Sequence, residues 1–288
     1  MPARLTLSSG PVRLSLHDPA DGYYQGTRFD RAGVFESLSL GGTELCGQWF
    51  ERYDPFLHDA VCGPAEEFGP VGFDAAAPGD AFLKPGVGML RRPDPAPYDR
   101  FRLYEITDPG EREVFREENA IVFRHRLDGQ YAYEKQILLT GDRCFEIRHS
   151  LQGVVPLETE VYNHNFFTFG RFEVGPEREM DFPFDPEGTW RAAYDSVAVV
   201  GRGLRFSRTL SPGESVYMGD LHDASGGSVY GMTVRERGVA EVCITGDAPL
   251  TRTVFWSNHR VACLEPYNRI SITPRGTFHW RIRYELKG

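Results

Sequence analysis

The closing stretch of the chain constrains its fold most tightly. Phe278, Trp280, Ile282, Tyr284 and Leu286 alternate with His279, Arg281 and Arg283. A period of two with the apolar residues on one side marks a strand with one buried face. Similar short segments recur along the chain between turn signals. Gly41-Gly42 joins two of them as a two-residue hairpin turn, and Ser9-Gly10-Pro11, Asp128-Gly129 and Pro274-Arg275-Gly276 mark further turns. In the segment 120–127, Ile121, Phe123, His125 and Leu127 share one face and Arg124 and Arg126 the other. More than a dozen such segments, with no helix-length apolar pattern, predict an all-β chain built as a large antiparallel β-sandwich or barrel. No fixed-period repeat suggests a propeller. No polar linker or composition break divides the sequence, so residues 1–288 read as a single domain.

Two regions break the pattern. Residues 47–98 are rich in Pro, Gly, Asp and Ala, and residues 170–190 are also irregular. The first contains Trp49, Phe50, Tyr53, His58, Glu66, Glu67 and Phe68, too many aromatic and charged groups for a disordered linker. It reads as an ordered excursion lining a site. A formal net charge of −9 excludes a nucleic-acid binder, which needs a basic stripe. Cys46, Cys62, Cys144, Cys243 and Cys263 are odd in number, widely spaced and without a CxxC pair, so neither a zinc site nor a disulfide framework is expected. Met1-Pro2-Ala3-Arg4-Leu5 lacks an apolar signal region and no run reaches membrane-spanning length, which reads as a cytoplasmic protein.

One polar group has no role in folding alone. The stretch Glu160–Phe169 is strand-like, yet its centre is Asn163-His164-Asn165, three strong hydrogen-bonding side chains among aromatics. His164 reads as a general acid or base on a sheet floor, since imidazole titrates near physiological pH. A second candidate closes the apolar run Val261-Ala262-Cys263-Leu264 at Glu265, followed by Pro266. A carboxylate ending a buried strand is partly desolvated, which raises its pKa and suits it to act as a base near neutrality.

These two motifs carry a family resemblance. Asn163-His164-Asn165-Phe166-Phe167 resembles the Asn-His-x-(aromatic)-Phe strand of the galactose mutarotase-like superfamily, the aldose 1-epimerases and hexose-phosphate 1-epimerases. Cys263-Leu264-Glu265-Pro266 is similar to its late Glu-bearing strand, and the two occur in the same order. The resemblance implies the large β-supersandwich of that superfamily and an aldose 1-epimerase-like isomerase. His164 would be the acid and Glu265 the base of a sugar ring opening that uses no cofactor and no metal. The expected partner is a monosaccharide or sugar derivative, bound by a monomer or homodimer with no nucleic acid or membrane involved.

The family's first-half His-Gly-(aromatic)-x-Arg element is matched only by Lys84-Pro85-Gly86-Val87-Gly88-Met89-Leu90-Arg91, which keeps Gly and Arg but has no His. Lys84 and His58 are candidates to compensate, and Arg28, Glu67, Arg91, Asn163, Asp220 and His259 complete the expected substrate contacts. Cationic Arg28, Lys84, Arg91 and Arg92 suit a uronic acid or phosphorylated sugar. Trp49, Phe68 and Trp256 are candidate faces for a sugar ring. The missing His leaves two other readings open: a sugar or uronate lyase or isomerase on the same scaffold, and a carbohydrate-binding protein without turnover.

Overall fold

A computed structural model describes residues 4–171 and 173–288; the opening Met1-Pro2-Ala3 lies outside the described residues. Every strand pairing is antiparallel. The site rests on a six-stranded sheet in the order Pro186–Trp190, Ser215–Asp223, Arg252–Asn258, Ala262–Ile272, Leu157–Phe166, Gly63–Phe68. Against one of its faces packs a ten-stranded sheet, which includes Cys144–Gly153, Tyr131–Gly141 and the closing strand Thr277–Lys287. A four-stranded sheet of the first two hairpins, Leu5–Ser9 with Val12–Leu16 and Phe35–Leu40 with Thr43–Cys46, joins the same core. A three-stranded sheet, Ala81–Lys84, Gly88–Arg91 and Ile106–Asp108, packs around its own apolar cluster of Phe73, Phe82, Val87, Leu90 and Tyr104. The one helical element among the described residues is a 3-10 turn at Pro19–Asp21, capped by the Asp18 carboxylate accepting from the Ala20 N–H. No helix of the described residues is long and apolar enough to cross a membrane.

The alternation read from the closing segment is present: Trp280, Ile282, Tyr284 and Leu286 are buried, while His279, Arg281 and Glu285 are exposed. The irregular reading of 47–98 and 170–190 needs correction. The first region contains Gly63–Phe68, Ala81–Lys84 and Gly88–Arg91, and the second contains Arg178–Asp181 and Pro186–Trp190. Gly63–Phe68 escapes pattern reading because both of its faces are buried and it carries two adjacent carboxylates, Glu66 and Glu67. A buried charge is tolerated only beside a counter-charge and donors, and those partners come from distant strands.

Glu66 points between the two large sheets. It accepts hydrogen bonds from Lys135, from His149 Nε2 at 3.1 Å and from Asn163 Nδ2 at 2.9 Å. Burial opposes its ionisation, but Lys135 and His149 outweigh that and hold its carboxyl at about 2. Nearby, Phe68 meets Tyr133 and Trp280 edge-on, and the Tyr284 hydroxyl donates to Asn165 Oδ1 at 3.0 Å. The sandwich is therefore joined by apolar packing and by one buried ionic layer. His125 is also structural, accepting from the Tyr131 hydroxyl and bonding the Pro109 carbonyl, each at 2.8 Å.

Replacing Lys135 by Met should leave Glu66 charged without its ammonium partner and cost about 3–5 kcal/mol of stability, read by urea unfolding. A loss below about 1 kcal/mol would contradict the ionic layer. The Glu66 carboxyl is depressed on folding, so its contribution is complete above its unfolded value of 4.5 and disappears as pH falls toward 2.

Candidate active site

Period-two alternation sends Asn163 and Asn165 into the sandwich and Tyr162, His164 and Phe166 to the opposite face of the six-stranded sheet. Cross-strand register then decides which side chains join them. Tyr162 lies opposite Glu67 on one side and Tyr267 on the other, Val254 opposite Glu265, and Trp256 opposite Cys263. The Tyr162–Tyr267 register, continued, sets His164 directly across from Glu265 and meets the bridge Phe167–Ala262 beyond. Backbone pairing lapses between those points. Pro266, which would face Asn163, has no N–H to give, and the Asn165 side chain fills part of the gap by donating to the Leu264 carbonyl at 2.8 Å.

Opposed side chains on neighbouring strands are natural contacts. His164 Nε2 and Glu265 Oε1 are 3.1 Å apart, and both residues are buried, at 3% and 4% exposure. The imidazole lies flat on Phe166, ring centres 3.8 Å apart, with Phe29 and Trp256 at its edges. Its Nδ1 is buried and has no hydrogen-bond partner among the described residues. A cavity of about 1020 Å³ opens above the pair. Trp49, His58 and the loop through Arg100 and Phe101 wall it on one side; Thr189, Arg191, Tyr217, Asp220 and Arg252 line the other.

Behind the pair, Glu67 gathers a cluster of donors. Arg28 Nε lies at 2.6 Å, the Tyr162 hydroxyl donates to the same oxygen, and Lys84 Nζ and Arg100 Nε each stand 3.6 Å from the other oxygen. Burial opposes the charge, but Arg28, Lys84 and Arg100 hold the Glu67 carboxyl at about 2. The Tyr162 hydroxyl also accepts from Arg28 at 3.0 Å and Arg100 at 3.1 Å, which fills its hydrogen-bonding capacity. Arg100 reaches the Tyr267 hydroxyl at 3.3 Å. Lys84, fully buried, donates to the Phe68 carbonyl and to the Tyr98 hydroxyl at 2.9 Å; desolvation lowers it to about 8.

This surround sets the protonation of the central pair. Burial, then the Arg28 and Arg100 guanidinium groups, push His164 well below its ordinary 6.5. Burial raises Glu265 to about 7, with Arg28 and Arg100 pulling downward and Glu67 upward. Below about pH 7 the two therefore hold one titrating proton between them, which burial places on Glu265, giving one donor and one acceptor side by side.

Of the residues singled out from sequence, Arg28, His58, His164, Asp220 and Glu265 line the cavity. Glu67 and Lys84 lie behind it as the anchor of its arginines. Asn163 sits on the other face, its amide spent on Glu66, because neighbouring strand residues point to opposite sides. Arg91 is exposed on the three-stranded sheet, paired with Glu105 at 2.8 Å and outside the cavity. His259 precedes the Glu265 strand but does not line the cavity; its carbonyl accepts from the Val174 N–H. Asp220 holds a left-handed backbone, φ 51°, where Ser215–Asp223 slips register. Sequence reading passed over Arg100, Tyr162, Arg191, Tyr217, Arg252 and Tyr267. Tyr162 and Tyr267 stand two residues from His164 and Glu265, so period two alone places them on the same face. Arg100 and Arg191 lie outside regular strands and give no such signal.

No family model and no curated protein matches the sequence. Solved structures do match in shape. A galactose mutarotase-like protein from Lactobacillus casei aligns over 99% of this chain and 100% of its own, with a TM-score of 0.60 and 11% identity. One from Clostridium acetobutylicum aligns over 98% and 94%, with a TM-score of 0.57 and 11% identity. The GalM/aldose epimerase homologue from C. elegans aligns over 100% and 99%, with a TM-score of 0.55 and 13% identity. Likeness at such identities is one of architecture: this chain has the galactose mutarotase-like β-sandwich fold.

Proposed function

We propose that the chain is a mutarotase-like isomerase that interconverts sugar anomers, with Glu265 as base and His164 as acid. The observation that carries this reading is the side-by-side placement of the two groups, 3.1 Å apart on the floor of an open cavity. Ring opening takes a proton from the anomeric hydroxyl and gives one to the ring oxygen. Both oxygens are bonded to the same carbon, so an acid and a base that are close neighbours can address the two together. Glu265 removes the hydroxyl proton as His164 donates to the ring oxygen. The pair then holds its proton on Glu265, the C1–C2 bond rotates, and closure runs the transfers backward from the other face of the aldehyde.

A single proton suffices for the cycle. The 3.1 Å approach of Nε2 to Oε1 lets the pair pass between the glutamic acid–imidazole form that burial favours and the carboxylate–imidazolium form that starts ring opening. Arg28 and Arg100, fixed by Glu67 and the two tyrosines, leave the pocket electrostatically defined before a sugar enters, which is the preorganisation such proton transfer needs. Trp49, Phe101 and Trp256 supply apolar faces for the ring's C–H side.

Anomer exchange measured by NMR across a panel of aldoses should fall about 100-fold or more in His164→Ala and in Glu265→Gln, the scale of general acid–base catalysis. Unchanged exchange in both variants on every sugar that exchanges would sink the reading.

The pH dependence follows from the proton count. Glu265, held at about 7, loses the shared proton as pH rises, so kcat/KM should fall tenfold per pH unit above about 7 and hold level just below it. Arg100 pulls the Glu265 carboxyl downward, so Arg100→Gln should move the falling limb to higher pH. A limb that stays in place, or moves to lower pH, contradicts the assignment.

A further inference from the structure

We infer that Arg191, laid over Tyr217 at the end of the cavity away from Arg28 and His58, forms a second binding subsite for an anionic group, a carboxylate or a phosphate, on the sugar unit next to the one held over His164 and Glu265. It rests on the ring-opening reading only for which end of the ligand sits over the pair.

Three observations carry it. The guanidinium is stacked on the Tyr217 ring, 3.8 Å from its centre, which leaves its in-plane N–H groups free to meet a planar or tetrahedral anion in a fork. The other guanidinium groups of the cavity are matched with carboxylates. Arg28 and Arg100 share Glu67; Arg252 is held by both oxygens of Glu160 at 2.8 and 2.9 Å, with Asp220 3.9 Å away. Arg191 has no carboxylate within 4.0 Å and no side-chain hydrogen bond among the described residues, although it lines the same cavity.

The third observation is distance. The Tyr217 strand lies two places from the Glu265 strand and three from the His164 strand, roughly 10–14 Å at about 4.8 Å per strand. Set that many strands away from the pair, the guanidinium lies where the far end of a second ring reaches it. The cavity volume agrees: about 1020 Å³ lies at the upper end for small-ligand sites, far more than one pyranose fills.

The test is calorimetric titration of the full chain and of Arg191→Gln with cellobiose, with the same disaccharide carrying a C6 carboxylate on its non-reducing unit, and with the form phosphorylated there. Glucose and glucose 6-phosphate serve as one-ring probes. Wild type should bind at least one anionic disaccharide about fivefold more tightly than cellobiose, the scale of an exposed ion pair. The variant should bind all three alike, and its ratio of glucose 6-phosphate to glucose affinity should match wild type. Preference for only one anionic disaccharide identifies carboxylate or phosphate as the group recognised. Equal wild-type affinity for the three disaccharides, binding of none of them, a preference that survives in Arg191→Gln, or an equal loss with glucose 6-phosphate overturns the subsite. Binding that behaves as expected without anomer exchange sinks the ring-opening reading and leaves the subsite standing.

Discussion

Two adjacent carboxylates that point to opposite faces of one strand organise this molecule. Glu66 faces the sandwich interior, where Lys135, His149 and Asn163 neutralise and saturate it. Glu67 faces the cavity, where it fixes Arg28, Arg100, Lys84 and Tyr162. Both are fully ionised despite burial, because each meets its counter-charges at contact distance. The strand of His164 is thus held from below by the Asn163–Glu66 bond and flanked above by cations that Glu67 holds still.

Between those anchors the central pair is left without a counter-ion of its own. Glu67 already engages the guanidinium groups, so Arg28 and Arg100 moderate the Glu265 carboxyl without forming a direct ion pair with it. His164 is packed by aromatics on its faces and edges, which penalises the imidazolium. Burial raises the carboxyl and lowers the imidazole until their usual order is reversed, so the proton the pair shares rests on Glu265 and the pair carries little net charge. Pro266 contributes by interrupting the backbone ladder at this point, so the two side chains face one another over a gap bridged by the Asn165 amide.

Much of the fold was legible because amphipathic strands announce themselves: the alternation at 278–286 needs no partner to be read. The two hairpins at the start were legible from their glycine turns. The missed strand that builds the site has a different property. Gly63–Phe68 is buried on both faces and reads as polar, since the residues that neutralise it are Arg28, Lys84, Arg100, Lys135 and His149, scattered along the sequence. His164 and Glu265 stood out because polar groups in apolar strands call for an explanation, and their family-like surroundings gave one. Of the two clamping arginines, Arg28 was singled out and Arg100 was not, because exposed and buried arginines look alike in one dimension. Arg91 illustrates the converse: motif spacing drew it toward the site, while the three-stranded sheet carries it to the surface beside Glu105.

The proposed chemistry requires His164 and Glu265 to address two oxygens of one carbon. A crystal structure of the full chain with an aldose bound tests that most directly. The predicted complex has the anomeric oxygen within hydrogen-bonding distance of the Glu265 carboxylate and the ring oxygen within hydrogen-bonding distance of His164 Nε2. A sugar seated in the cavity with both oxygens turned away from the pair, and the His164–Glu265 contact untouched beneath it, would contradict it.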